Sequence, residues 1–174
     1  MRKFRLVIIT GLPGTGKTTL ARDLAKRHQL PLIAKDTIKE PLMDMLGSRA
    51  ASRELSNASF AILFAMTREL LALGESLILE GNFRAGEHEV PLRAALPANA
   101  PAIVQVLCRA DEAERRSRLL QRAGDSTRHP GHHDAQQVEP VAACDSFLEL
   151  PGERLEHRAG AESAFCALAA LGKS

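Results

Sequence analysis

Leu6-Val7-Ile8-Ile9-Thr10-Gly11-Leu12-Pro13-Gly14-Thr15-Gly16-Lys17-Thr18 is the stretch on which the reading of this chain turns. Its second part, Gly11–Thr18, has the form G-x-x-x-x-G-K-[ST], the phosphate-binding P-loop pattern. Its first part is an apolar, β-branched run that reads as a strand. Thr19-Leu20-Ala21-Arg22-Asp23-Leu24-Ala25-Lys26 follows with helical spacing. Strand, glycine-rich loop and helix in that order is the context the pattern requires. Gly11, Gly14 and Gly16 let the backbone take positive φ and approach an anion closely. The N–H groups of Pro13's neighbours Gly14, Thr15 and Gly16 can then point inward, and the helix that starts there adds its positive end. Lys17 is expected to reach the β- and γ-phosphates. Thr18 is expected to ligate a bridging Mg²⁺, with Thr19 beside it in the same first turn.

The rest of the chain alternates in the same manner. Strands are expected at about 4–10, 30–34, 76–79, 102–108 and, weakly, 154–158. Helices are expected at about 16–28, in part of 37–47, at 52–73, 86–96 and 111–122, with a short one to about 147 and an Ala-rich one at 161–171. Strands separated by helices imply an α/β domain with a mostly parallel sheet covered on both faces. Residues 1–174 read as one domain, with about 111–137 as a helical lid. Ligands on such sheets bind at the carboxyl ends of the strands, so the residues standing there are the candidates.

Asp36 follows the second strand and is the candidate to orient or deprotonate an acceptor. Thr37-x-x-Glu40 also has the capping-box form, and Pro41 suggests a regular helix starting nearer Glu40. Glu80 ends the third apolar strand, Leu77-Ile78-Leu79, as a Walker B acid does, though the usual residue there is Asp. It is read as a Mg²⁺-positioning or catalytic group. Lys39, Asn82 and Arg84 are candidate contacts to the acceptor, Arg as a bidentate fork and Lys as a point charge. Arg118 and Arg122, four apart on a charged helix, are candidates to close over a transferred phosphoryl group. Residues 123–137 have no clear period and suit a lid. His129, His132 and His133 have no second ligand cluster at metal-binding spacing, and Mg²⁺ prefers oxygen.

Composition narrows the function classes. The formal charge is +2, there is no Trp or Tyr, and only six Phe are present. A dedicated nucleic-acid binder and a base-stacking platform are therefore disfavoured. Cys108, Cys144 and Cys166 are far apart and odd in number, which suits a reducing compartment. The residues between Arg5 and Gly11 are too few for a signal sequence, and no run reaches membrane-spanning length. A cytoplasmic location without membrane partners is expected.

Taken together, these residues make the chain resemble the P-loop kinases of the adenylate-kinase-like branch, and within it the small predicted kinases described as AAA-type ATP-binding proteins. Gluconate and shikimate kinases, chloramphenicol phosphotransferase and zeta-toxin kinases are cousins. Gly11–Thr18 carries the resemblance most specifically. Asp36 with Lys39 is similar to an Asp-x-x-Arg motif, Glu80-Gly81-Asn82-Phe83-Arg84 to the third-strand motif, and Arg118-Leu119-Leu120-Gln121-Arg122 to an Arg-x-x-x-Arg lid helix. The resemblance implies a three-layer α/β/α P-loop NTPase fold with five parallel strands in the order 2-3-1-4-5. It implies ATP as phosphoryl donor, Mg²⁺ as cofactor and a small-molecule acceptor with a hydroxyl or phosphate. The other class to weigh is a nucleotide-binding switch or slow ATPase acting through a protein partner. An acceptor site would separate the two, and Asp36, Lys39 and Arg84 together suggest one. The chain is too short for the extra helical domain of an AAA+ assembly ATPase.

Overall fold

The computed structural model describes residues 5–125, 129 and 144–158. Five strands, β1 (Arg5–Thr10), β2 (Leu32–Ala34), β3 (Leu77–Glu80), β4 (Ala102–Arg109) and β5 (Glu153–Arg158), form one sheet in the order β2-β3-β1-β4-β5. All neighbours are parallel. Helices α1 (Lys17–His28), α2 (Lys35–Leu46), α3 (Ser52–Ala72), α4 (Glu89–Ala94) and α5 (Glu112–Ala123) connect them. The order 2-3-1-4-5 expected by resemblance is the order observed.

The two faces of the sheet are written in strand alternation. Leu6, Ile8, Leu77, Leu79 and Ile103 point to one side, where Phe60, Leu63, Phe64 and Leu71 of α3 cover them. Val7, Ile9, Ile78, Val104 and Val106 point to the other, under Leu20, Ala21 and Leu24 of α1. Each such side chain contributes roughly 1.5–3 kcal/mol by leaving water. The buried hydroxyls of α3 satisfy themselves on the preceding turn: Ser59 donates to the Leu55 carbonyl at 2.6 Å and Thr67 to that of Leu63 at 2.7 Å.

One strand residue breaks the apolar pattern. Gln105, wholly buried in β4, donates to the carbonyls of Leu148 and Leu150 and accepts from the Leu148 N–H at 2.9 Å. Its amide thereby ties segment 144–150 to the sheet without an unpaired polar group.

Several expectations need correction. Helix α2 starts at Lys35, directly after β2, and not near Glu40. Thr37 and Glu40 lie inside it, and Ala34 occupies the N-cap position with no side-chain bond. Pro41 stands in the helix interior, where it supplies no N–H to the Thr37 carbonyl. The chain turns early because the short β2 delivers Lys35 straight into helical geometry, with Asp36 favourably placed in the first turn. The helix expected over 86–96 is shorter, Glu89–Ala94, and residues 144–150 contain no α-helix. The expected Ala-rich helix at 161–171, Cys166, His132, His133 and residues 126–128 and 130–137 of the lid segment lie outside the described residues.

Candidate active site

The P-loop begins where β1 ends. Gly11 has φ +135°, and a Cβ there would stand 2.3 Å from the Cys108 carbonyl oxygen of β4. Only glycine lets the loop leave the sheet so close to the neighbouring strand. Gly14 and Gly16 also have positive φ, and Gly16 is the N-cap of α1. Gly14 rests on α5, where a Cβ would meet Arg115 Cγ at 3.1 Å. Thr15 donates to the Leu12 carbonyl at 2.8 Å, and its own N–H bonds the same oxygen.

Lys17 is buried, and its Nζ donates to the Leu12 carbonyl at 2.9 Å. Burial pushes the ammonium below its ordinary range, while the nearby Glu80 carboxylate opposes that shift. Glu80 ends β3 beside Ile9 of β1 and is also buried. Burial pushes its carboxyl upward, against the pull of Lys17, and Asp36 adds to the rise. Lys17, Glu80 and Asp36 thus sense one another across three strand ends.

Thr18 Oγ1 lies 3.3 Å from Glu80 Oε2. An octahedral Mg²⁺ at about 2.1 Å from each ligand separates neighbouring ligand oxygens by about 3.0 Å, close to this spacing. Both donors are hard oxygens, so the pair fits Mg²⁺. Among the described residues no cluster of His, Cys, Asp and Glu forms a separate metal cage.

The loop after β3 is pinned at every step. Gly81 N–H bonds the Ile9 carbonyl, and the Thr10 hydroxyl donates to the Phe83 carbonyl. Arg84 N–H donates to His88 Nδ1 at 2.8 Å, and Gly86 N–H to Glu89 Oε1 at 3.0 Å. Burial alone would raise the Glu89 carboxyl, but this bond and that from Glu149 N–H hold it below its usual range. Phe83 is wholly buried, in tilted contact with the rings of Phe60 and Phe64 and edge-on to that of His88. Asn82 and Arg84 are left facing outward, and Arg84 pairs with Glu87 at 3.1 Å.

Both side chains line a cleft of about 530 Å³ that starts at Pro13 of the P-loop and runs between α2 and the first turns of α3. Lys35 and Lys39, four apart on α2, face it, as does Arg53 across from them. Phe60 and His88, with ring centroids 4.0 Å apart, contribute to its wall. Lys35 is buried and pairs with the half-exposed Asp36 at 3.2 Å.

The α5 arginines take positions different from each other. Arg118 Nη1 donates to the Gly14 carbonyl at 3.2 Å and Nη2 to Glu114. Arg122 stands one turn on, partly exposed in the last turn of α5. Arg115 is the side chain that sequence reasoning missed as part of the site. It is 1% exposed, its Nη1 lies 3.4 Å from the Pro13 carbonyl, and it is paired with Glu112, whose carboxyl it and Arg116 hold down at about 2. Lys35 and Arg53 are further cleft residues that the sequence pattern does not single out. The only signal for Lys35 is its place directly after a strand, and Arg53 has none that is local. Arg109 turns away toward Asp145 and Glu156. His129, within the expected lid, meets Asp44 of α2 at 2.9 Å.

A family model described as an AAA domain, AAA_33, matches residues 6–143. An uncharacterized protein of Mycobacterium tuberculosis (strain ATCC 25618 / H37Rv) is 30% identical over 132 residues, covering 71% of this chain and 26% of its own length. The chain thus spans about a quarter of the curated relatives it first matches. A shikimate kinase of Aromatoleum aromaticum is 31% identical over 87 residues, 46% of this chain and 50% of that one. Among solved structures, a candidate kinase from Chloroflexus aurantiacus superposes with TM-score 0.84 at 28% identity, covering 99% of this chain and 100% of that one. A gluconokinase from Sinorhizobium meliloti shares the fold, with TM-score 0.59 at 18% identity over 98% and 95% of the two chains.

Proposed function

The chain belongs to the AAA_33 family of AAA domains, a kinase-like group of P-loop proteins, and from that premise we propose that it is an ATP-dependent small-molecule kinase. In this reading it acts as one domain whose lid segment, about 111–137, closes over bound nucleotide. The observation that carries the reading is the cleft beside the P-loop. It is lined by Pro13 of the P-loop and by Lys35, the ion-pair partner of Asp36, and has the size of a small-molecule site. A nucleotide switch has no use for a second pocket at that point.

The loop N–H groups of residues 13–16 and the N-terminus of α1 receive the donor's phosphates. Lys17 exchanges the Leu12 carbonyl for the β- and γ-phosphates. Thr18 and Glu80 would hold Mg²⁺, which would supply positive charge to the phosphates. Asp36, paired with the cleft-lining Lys35, accepts the proton of the acceptor hydroxyl. The freed oxygen then bonds to the γ-phosphorus as the bond to the β–γ bridging oxygen breaks, leaving ADP. Arg118 and Arg122 supply positive charge from the P-loop side. Asn82, Arg84 and Lys39 hold the acceptor.

The test is ADP release from Mg-ATP across sugars, sugar acids, nucleosides, nucleoside monophosphates and hydroxylated drugs, with Lys17→Ala as control. Stimulation by one acceptor class, lost in Lys17→Ala, is the expected result. Tight ATP binding with a flat panel favours the switch, and no ATP binding overturns the reading.

A further inference from the structure

The charges in the cleft are one-sided. Lys35, Lys39 and Arg53 line it, and Arg84 adds a fourth cation. Of the acids nearby, Glu87 is taken by Arg84 and Asp36 by Lys35. Glu54, at the start of α3, accepts from the Ala51 N–H at 2.8 Å. Lys39 and Arg53 form no ion pair among the described residues. Lys39 Nζ instead approaches the Ser52 hydroxyl at 3.3 Å, bridging α2 to α3. Burial holds the Lys39 ammonium below its ordinary range, the like charge of Lys35 pushes the same way, and only Asp36 opposes. Lys39 is partly buried and Arg53 exposed; an anion bound in the cleft they both line would offset the excess of positive charge around Lys39.

Asp36 adjoins the cleft through Lys35, which lines it and pairs with Asp36 at 3.2 Å, and Asp36 influences Lys17 and Glu80. Lys39 lies one turn further along α2, about 4.5 Å away along the helix axis. Ser56, Asn57 and Asn82 in the lining offer hydroxyl and amide groups. They suit the hydroxyls of a short polyol more than a flat apolar ring.

We propose that the acceptor is a short polyhydroxylated molecule bearing an oxyanion, carboxylate or phosphate, which Lys39 and Arg53 receive at the α2–α3 junction while a hydroxyl at its other end meets Asp36. The proposal rests on the kinase reading for the ligand's role as acceptor, but the anion site can be tested without turnover.

The P-loop is first saturated with Mg²⁺ and a non-hydrolysable ATP analogue, so that added anions cannot bind there. Thermal stabilisation is then measured with matched pairs: gluconate against glucose, and ribose 5-phosphate against ribose. The charged member of at least one pair is expected to raise the melting temperature and its neutral partner not to. The gluconate and ribose 5-phosphate arms tell carboxylate from phosphate. In the Lys39→Gln/Arg53→Gln double variant that shift should vanish while stabilisation by the nucleotide analogue persists, which shows that the variant is folded. For an acceptor that is turned over, KM should rise about 10- to 100-fold in the double variant, the loss expected for charge-assisted hydrogen bonds. Equal stabilisation by neutral partners, an undiminished shift in the double variant, or no shift with any anion overturns the proposal even if the protein proves to be a kinase. An anion shift without ADP release would instead sink the kinase reading and leave the anion site standing.

Discussion

Thr18 Oγ1 lies 3.3 Å from Glu80 Oε2, joining the first turn of α1 to the end of β3 across 62 positions of sequence. The two oxygens are held by independent elements, so their spacing is a property of the sheet. Glu80→Gln keeps the shape and one oxygen but removes the charge. It is expected to shift the Mg²⁺ dependence of ADP release to higher Mg²⁺ and to lower kcat by on the order of 10²-fold, as for loss of one preorganised electrostatic contact. A Mg²⁺ titration at saturating ATP checks this, and an unchanged midpoint would remove Glu80 from the metal's surroundings.

Gly11→Ala probes the exit of the P-loop from β1. The added methyl would face the Cys108 carbonyl oxygen at 2.3 Å, on a backbone at φ +135°. Both the strand and the loop must shift, at a cost of about 1–3 kcal/mol from backbone strain alone. Urea denaturation should show the loss, and calorimetry should show ATP binding weakened in parallel. Gly74→Ala, at another positive φ but with nothing within 4 Å, is the comparison: strained, yet neutral for nucleotide.

Arg115 supports the P-loop from beneath. Replacing it with Met keeps the stem that packs under Gly14 but removes the guanidinium near the Pro13 carbonyl. Its partner Glu112 is exposed and can return to water, so the cost is that of a poorly satisfied carbonyl, roughly 1–3 kcal/mol. KM for ATP should rise while the KM of an acceptor changes little. A reversed pattern would place Arg115 in the acceptor site.

His88 couples the loop after β3 to pH. Its Nδ1 accepts from Arg84 N–H, so the neutral ring carries its proton on Nε2. Burial lowers its proton affinity; Arg84 and Lys35 act the same way, and Glu87 and Glu89 against. The folded state thus binds fewer protons than the unfolded state at mildly acid pH. Stability is complete above the unfolded value near 6.5 and falls as pH drops below it, by at most about 1.4 kcal/mol per pH unit. The loss ends at the lowered folded value. In His88→Asn, whose amide oxygen can accept the same bond, unfolding between pH 7.5 and 5.5 should be less pH-dependent. His157, also lowered by burial, contributes to both proteins and cancels in the difference.

What the sequence determined by itself was local and periodic. Leu6–Thr10 announced a strand and Gly11–Thr18 a phosphate loop, because β-branching and glycine φ preferences act within a few residues. Alternating strand residues sorted themselves into two buried faces, and Glu80 could be found as the acid that ends an apolar strand. The tertiary structure decided what depends on which surfaces meet. Arg115 reads in the sequence like its exposed neighbour Arg116, yet it is buried because α5 packs on Gly14. Pro41 signalled a late helix start, but the geometry of β2 set the start at Lys35. Lys35, Lys39 and Arg53 became one cationic cleft only when α2 and α3 packed together. Such convergence rests on contacts between distant positions, which no local pattern of residues encodes.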